Sequence, residues 1–154
     1  TLQPFKDVII KLPLIEYKTA KWDLQPQYKD SLNFLYDIMT ENPTLIVQLR
    51  SHTDHRGSTA ANQKLSQKRA QSCVDYLISL GISQERMKAL GMGETEPYVI
   101  KEDVGAFKKG DVLTETYISK LKRNADKDKA RQMNRRTDFK KVVEEKKAVE
   151  FGEY

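Results

Sequence analysis

Apolar positions change their spacing several times along the chain, and each change marks an element. Residues 8–17 (Val8-Ile9-Ile10-Lys11-Leu12-Pro13-Leu14-Ile15-Glu16-Tyr17) are rich in branched and aromatic side chains and predict a strand. Pro13 lacks a ladder donor and implies an edge position or a break midway. From Pro26 to Glu41 the period becomes helical, with Tyr28, Leu32, Leu35 and Met39 on one face. Asn42-Pro43 ends that helix, because the residue before a proline is pushed out of the α region. Residues 45–52 alternate and predict a second strand with Leu45, Val47 and Leu49 turned to the core. Residues 53–58 form a loop, and Ser58 or Thr59 caps a long helix running to about Leu80. Its apolar face comprises Leu65, Ala70, Cys73, Val74 and Leu77, and Gly81 stops it.

The pattern weakens afterwards. Residues 86–92 predict a third strand, residues 93–112 are mostly loop, and Tyr117, Ile118 and Leu121 have helical spacing within 114–123. A short helical turn over 125–132 and a closing strand from Arg135 to Val149 complete the chain. The order β-α-β-α-β-(insert)-β implies an α+β fold: a mixed sheet with the two main helices packed on one face. All 154 residues read as one domain, with 98–133 as a charged, partly helical insertion within it.

Composition narrows the function classes. Charged residues make up 32% and hydrophobic residues 38%, with a mean hydropathy of −0.68, a wet surface around a modest core. No apolar run approaches the roughly 18 residues of a membrane span. Because the chain opens at Thr1 without a basic-then-apolar leader, a removed signal or an excised piece is the expectation. The single cysteine, Cys73, excludes an internal disulfide framework and reads as a small buried hydrophobe. The net charge of +5 is concentrated beyond residue 100 but interleaved with acids, so Lys140-Lys141 and Lys146-Lys147 read as a solvated strand end and tail.

Ser51-His52-Thr53-Asp54-His55 invites a metal-dependent hydrolase reading on His52, Asp54 and His55. Against it, Arg50 stands where a further ligand would be needed, no third histidine exists, and strand alternation sends the two imidazoles apart. No phosphate loop, nucleophile elbow or serine triad is present. A nucleic-acid or anionic-surface binder using the basic C-terminal third is the other rival, and it would show a steep salt dependence. More informative is a polar set: Asn62, Leu65 and Arg69 fall on one side of the long helix, and Asp54 sits in the short loop feeding it. Asp54 and Arg69 then converge, either as an ion pair closing the loop or as a receptor for a zwitterion. In a receptor, the carboxylate would take an ammonium and the guanidinium would grip a carboxylate.

Several motifs now line up. Ser51-His52-Thr53-Asp54 with Gly57-Ser58, Asn62-x-x-Leu65-Ser66-x-x-Arg69-Ala70, Gly81-Ile82, Gly91-Met92-Gly93-Glu94-x-x-Pro97 and Asn134-Arg135-Arg136 together resemble the OmpA C-terminal-like peptidoglycan-binding family across about residues 8–145. The resemblance implies a non-catalytic, cofactor-free periplasmic domain that anchors outer-membrane machinery to the cell wall. It assigns Asp54 and Arg69 to the diaminopimelate of the peptide stem, Thr53, Asn62 and Leu65 to the pocket lining, and Arg135 to a further anion contact. Partners would be peptidoglycan and other envelope or secretion-complex proteins, with no nucleic acid. Tyr17-Lys18 departs from the family's Phe-Asp, so no ligand contact is carried over there. Trp22 and Tyr17 either rim the pocket or close the core. The long insertion before Asn134-Arg135-Arg136-Thr137-Asp138-Phe139 is similar to PorE-like lipoproteins associated with type IX secretion. With exposed site residues, replacing Asp54 or Arg69 by alanine is expected to abolish wall binding and leave the melting curve nearly intact.

Overall fold

The computed structural model describes residues 15–16, 26 and 29–142. Strand β1 (Ile15–Glu16) is followed by α1 (Lys29–Glu41), β2 (Ile46–His52), α2 (Thr59–Ser79), β3 (Met87–Gly93), α3 (Glu115–Ser119), α4 (Asn124–Asn134) and β4 (Arg136–Val142). The sheet runs β1-β4-β2-β3, with β2 parallel to β3 and antiparallel to β4, and β4 antiparallel to β1. The expected mixed α+β architecture is what the chain adopts.

The inward side chains of the sheet explain where the two long helices sit. Leu45, Val47 and Leu49 are buried against Leu32, Leu35 and Met39 of α1 and Cys73, Val74 and Leu77 of α2, so both helices cover one sheet face. Each such side chain contributes about 1.5–3 kcal/mol by leaving water. Ser58 caps α2 by accepting from the Ala61 N–H (3.1 Å), and Gly81 (φ +109°) supplies the left-handed residue that ends it. The end of α1 is held by a residue whose role the periodicity does not reveal. Arg86 donates to the Met39 and Asn42 carbonyls (both 2.7 Å), where the helix leaves acceptors unsatisfied.

Helix α2 also closes the outer edge of β3. Gln67 donates to the Ala89 carbonyl (3.1 Å) and accepts from the Gly91 N–H (2.9 Å), and Ser66 accepts from the Gly93 N–H (2.9 Å). This brings helix and strand so close that a Cβ on Gly91 would lie 2.5 Å from the Gln67 backbone nitrogen. The weak apolar pattern of β3 therefore has a cause: a strand pressed on a helix backbone needs small residues.

Several boundaries differ from the sequence reading. Of the strand over 8–17, Ile15–Glu16 is described as strand, while Pro13, Tyr17-Lys18, Trp22, Tyr28 and Lys146-Lys147 lie outside the described residues. The closing strand is described to Val142. The helix expected over 114–123 is the shorter α3, and the turn at 125–132 is the full eleven-residue α4. Residues 98–133, read as a charged and partly helical stretch, carry α3 and most of α4, and Ile100, Phe107, Leu113, Ile118 and Ala130 there form a second apolar cluster that the sequence reading did not anticipate. Asn134 ties the end of α4 to this segment by accepting from the Tyr98 N–H (2.8 Å) and donating to the Leu113 carbonyl (2.9 Å).

Gly91→Ala should cost about 1–3 kcal/mol of stability, since α2 must retreat from β3. A thermal melt that matches wild type would show that the close approach is not a constraint.

Candidate functional site

A bulge between Ser51 and His52 interrupts the β2–β3 register, re-aiming the chain as it leaves the sheet. The Thr53 N–H donates to the Gly93 carbonyl (2.9 Å), and the Arg56 N–H then donates to the Asp54 carboxylate (2.9 Å). That second bond is an aspartate-led turn, which folds the loop back over the first turns of α2. A cleft of about 320 Å³ opens there, lined by Thr53, Asp54, Asn62, Leu65, Arg69 and Arg135 together with Arg56 and Gly57. All six residues singled out in the sequence therefore reach one cavity, although they come from a loop, a helix and a strand start up to 82 positions apart.

Asp54 is buried and its charge is balanced in place. The Arg135 guanidinium donates to Oδ2 at 2.7 Å, and Arg56 donates to Oδ1 and Oδ2 at 3.2 and 3.0 Å. Burial pushes this carboxyl group's pKa up, but the hydrogen bonds from Arg56 and Arg135 outweigh it and hold the pKa below the ordinary value of 3.8. Asp54 is thus charged throughout the neutral range. Arg56 did not emerge from the sequence reading; its signal was the two-residue spacing from an aspartate in a loop that must turn.

Arg69 is fully buried, an uncommon state for a guanidinium, and donates to the His52 carbonyl (3.1 Å). Asn62 donates to Glu94 (3.0 Å) and to the Asp54 carbonyl (3.3 Å), tying the loop to the end of β3. Leu65, read both as part of the apolar helix face and as pocket lining, lines the cleft and is half-buried. The Thr53 hydroxyl is buried at the cleft and finds no hydrogen-bond partner among the described residues. Buried polar atoms of this kind are rare in folded chains and mark places where something else supplies the partner.

Asn134-Arg135-Arg136 divides its labour across the junction of α4 and β4. While Asn134 holds the insertion and Arg135 faces the cleft, Arg136 donates to the Glu96 carbonyl (3.0 Å) and lies over the Tyr98 ring (5.3 Å). On that opposite face Asp138 receives Arg50 (3.0 Å) and the His52 imidazole (2.9 Å). His55 instead approaches Glu94 at 4.0 Å. The two imidazoles thus address different partners, and among the described residues no three His, Cys, Asp or Glu side chains gather as metal ligands.

His52 is fully buried, and this burial lowers its pKa below 6.5 despite the opposing hydrogen bond to Asp138. Nε2–H then donates to the Asp138 carboxylate, and Nδ1 has no partner among the described residues. Burial also shows that alanine at Asp54 or Arg69 would not leave the melting curve intact. It would remove the carboxylate that balances the Arg56 and Arg135 guanidinium groups in one case, and open a cavity beside the His52 carbonyl in the other.

The sequence profile of the OmpA family matches residues 17–109. Outer membrane protein A of Serratia odorifera is 42% identical over 83 residues, covering 52% of this chain and 34% of that protein. The Salmonella typhi protein of the same name is 44% identical over 79 residues, covering 50% and 23%. The matches thus span about a third or less of these relatives' length. Among solved structures, the peptidoglycan-associated lipoprotein of Burkholderia pseudomallei superposes with a TM-score of 0.63 at 22% identity, covering 86% of this chain and 91% of that one. The cell wall anchor of the type VI secretion system of Pseudomonas aeruginosa gives 0.53 at 21% identity, with 83% and 75% covered. These likenesses establish a shared fold.

The depressed His52 pKa makes stability pH-dependent. As pH falls below about 6.5 the unfolded chain takes up a proton that the folded chain resists, so melting temperature should decline between pH 7.5 and 5. His52→Gln, which keeps a donor for Asp138, should flatten that decline; an identical slope in both proteins would refute the assignment. The Asp54 contribution has the same sign at lower pH: it is present above the ordinary 3.8 and lost as pH drops through the lower folded-state value.

Proposed function

Since the chain belongs to the OmpA family, we propose that it is a non-catalytic peptidoglycan-binding domain. It recognises the diaminopimelate of the peptide stem and holds an envelope assembly to the cell wall. The observation that carries this reading is one cleft in which a charged acid, Asp54, and a buried guanidinium, Arg69, share a wall with an unpartnered hydroxyl, Thr53. An amino-acid centre presents an ammonium and a carboxylate a bond or two apart, and that pair complements this cleft. Asp54 takes the ammonium, Arg69 the carboxylate, Thr53 a main-chain polar group of the stem, and Leu65 packs on the aliphatic linker. Arg135 adds positive charge beside Asp54, and Asn62 keeps the loop in place.

The superposed solved structures include a protein titled peptidoglycan-associated and one titled a cell wall anchor, which agrees with this role. The location that follows is the periplasm, with attachment to the outer membrane through other parts of the protein. No described helix is long and apolar enough to cross a membrane. A PorE-like, type IX secretion-associated setting is supported by the long insertion and Asn134-Arg135-Arg136-Thr137-Asp138-Phe139. A modest affinity suffices, because a polymeric wall offers many adjacent sites.

Asp54→Asn and Arg69→Lys stay nearer the native side-chain volume than alanine does, while removing the acceptor pair of one group and the planar donor fork of the other, so they test recognition more directly than alanine. Each should weaken co-sedimentation with diaminopimelate-containing sacculi about tenfold or more, with circular dichroism unchanged. Wild-type binding in both variants would remove the pocket from the account. Walls built with lysine lack the second α-carboxylate and should retain far less protein; equal retention would disprove recognition of the zwitterionic centre.

A further inference from the structure

Resting on the reading of this cleft as a diaminopimelate site, we propose that Arg56 reads a second carboxylate next to the ligand's zwitterionic centre. The cleft would then prefer a stem whose peptide-linked end of diaminopimelate is free and unamidated. The starting point is that Asp54 has no acceptor to spare. Oδ1 takes the Arg56 N–H (2.9 Å) and Nε (3.2 Å), and Oδ2 takes Arg56 Nη2 (3.0 Å) and Arg135 Nη1 (2.7 Å). A carboxylate offers about four lone-pair positions, so an arriving ammonium must displace a donor.

The two guanidinium groups are not equally easy to displace. The Arg135 side chain is 12% exposed and makes the shorter bond, whereas the Arg56 side chain is 47% exposed. Half-exposed ion pairs are held weakly, since water replaces the lost partner at little cost. Arg56 therefore yields. Its backbone N–H can stay on Oδ1 and preserve the turn while its side chain swings along the cleft wall it already lines. Released there, a planar fork of donors has most to gain from another carboxylate. With Arg69 assigned to the zwitterionic centre, that carboxylate is a different one on the same ligand. Glu115, bridged to Arg131 at 2.7 Å, and Asp128 lie near enough to influence Arg56 and are the competing destinations.

Calorimetric titration with two soluble muropeptides separates these cases. Both carry a tripeptide stem with an intact zwitterionic end; in one the carboxylate at the peptide-linked end of diaminopimelate is free, in the other it is capped as a methylamide. Wild type should bind the free form about five- to tenfold more tightly, the range of one solvent-accessible charged contact. Arg56→Gln should bind both stems alike. A wild-type protein indifferent to the cap, or a variant that keeps the full preference, overturns the role of Arg56 while leaving the site itself standing. Wild type binding neither stem takes down the site, and this proposal with it.

Discussion

A carboxylate removed from water is intolerable unless cations accompany it, and Asp54 draws its companions from two distant parts of the chain. Arg56 comes from the same loop and Arg135 from the far side of the insertion. Because burial and pairing arrive together, the charge is kept rather than neutralised. The loop after β2, the first turns of α2 and the start of β4 are thereby fixed relative to one another. The cleft is the space left between them.

Behind that cleft, His52 links the two faces of the sheet. Its carbonyl holds Arg69 on the helix side, and its imidazole reaches Asp138 on the other. Asn134, Arg135 and Arg136 do the same for the insertion, each addressing a different neighbour because successive side chains diverge. Residues 98–133 have an apolar cluster separate from the main core. Their junction with β4 is nonetheless where the cleft receives a guanidinium.

Much of this was legible in the sequence because the signals were local. Helical spacing located α1 and α2, alternation located β2, and Ser58 and Gly81 fixed both ends of α2 through chemistry confined to a single turn. The gathering of Asp54, Asn62, Leu65, Arg69 and Arg135 followed from motif spacing and from resemblance. What was not legible depends on contacts between segments. Arg86 clamps α1 through carbonyls more than forty residues away, and no pattern in its own neighbourhood announces this. Burial of Asp54 and Arg69 was misjudged for a related reason: residue type suggests exposure, and only the assembled cleft shows their partners. Leu65 followed neither rule simply, being apolar at helical spacing yet turned toward a cavity instead of the core.

The glutamine and serine contacts from α2 to β3 carry a consequence for a protein among crowded neighbours. The Ala89 carbonyl and the Gly91 and Gly93 N–H groups on that margin are already engaged by Ser66 and Gln67, so a visiting strand from a neighbouring protein finds these ladder groups taken. Dense packing among other proteins then need not breed unwanted sheet-to-sheet assemblies along this margin.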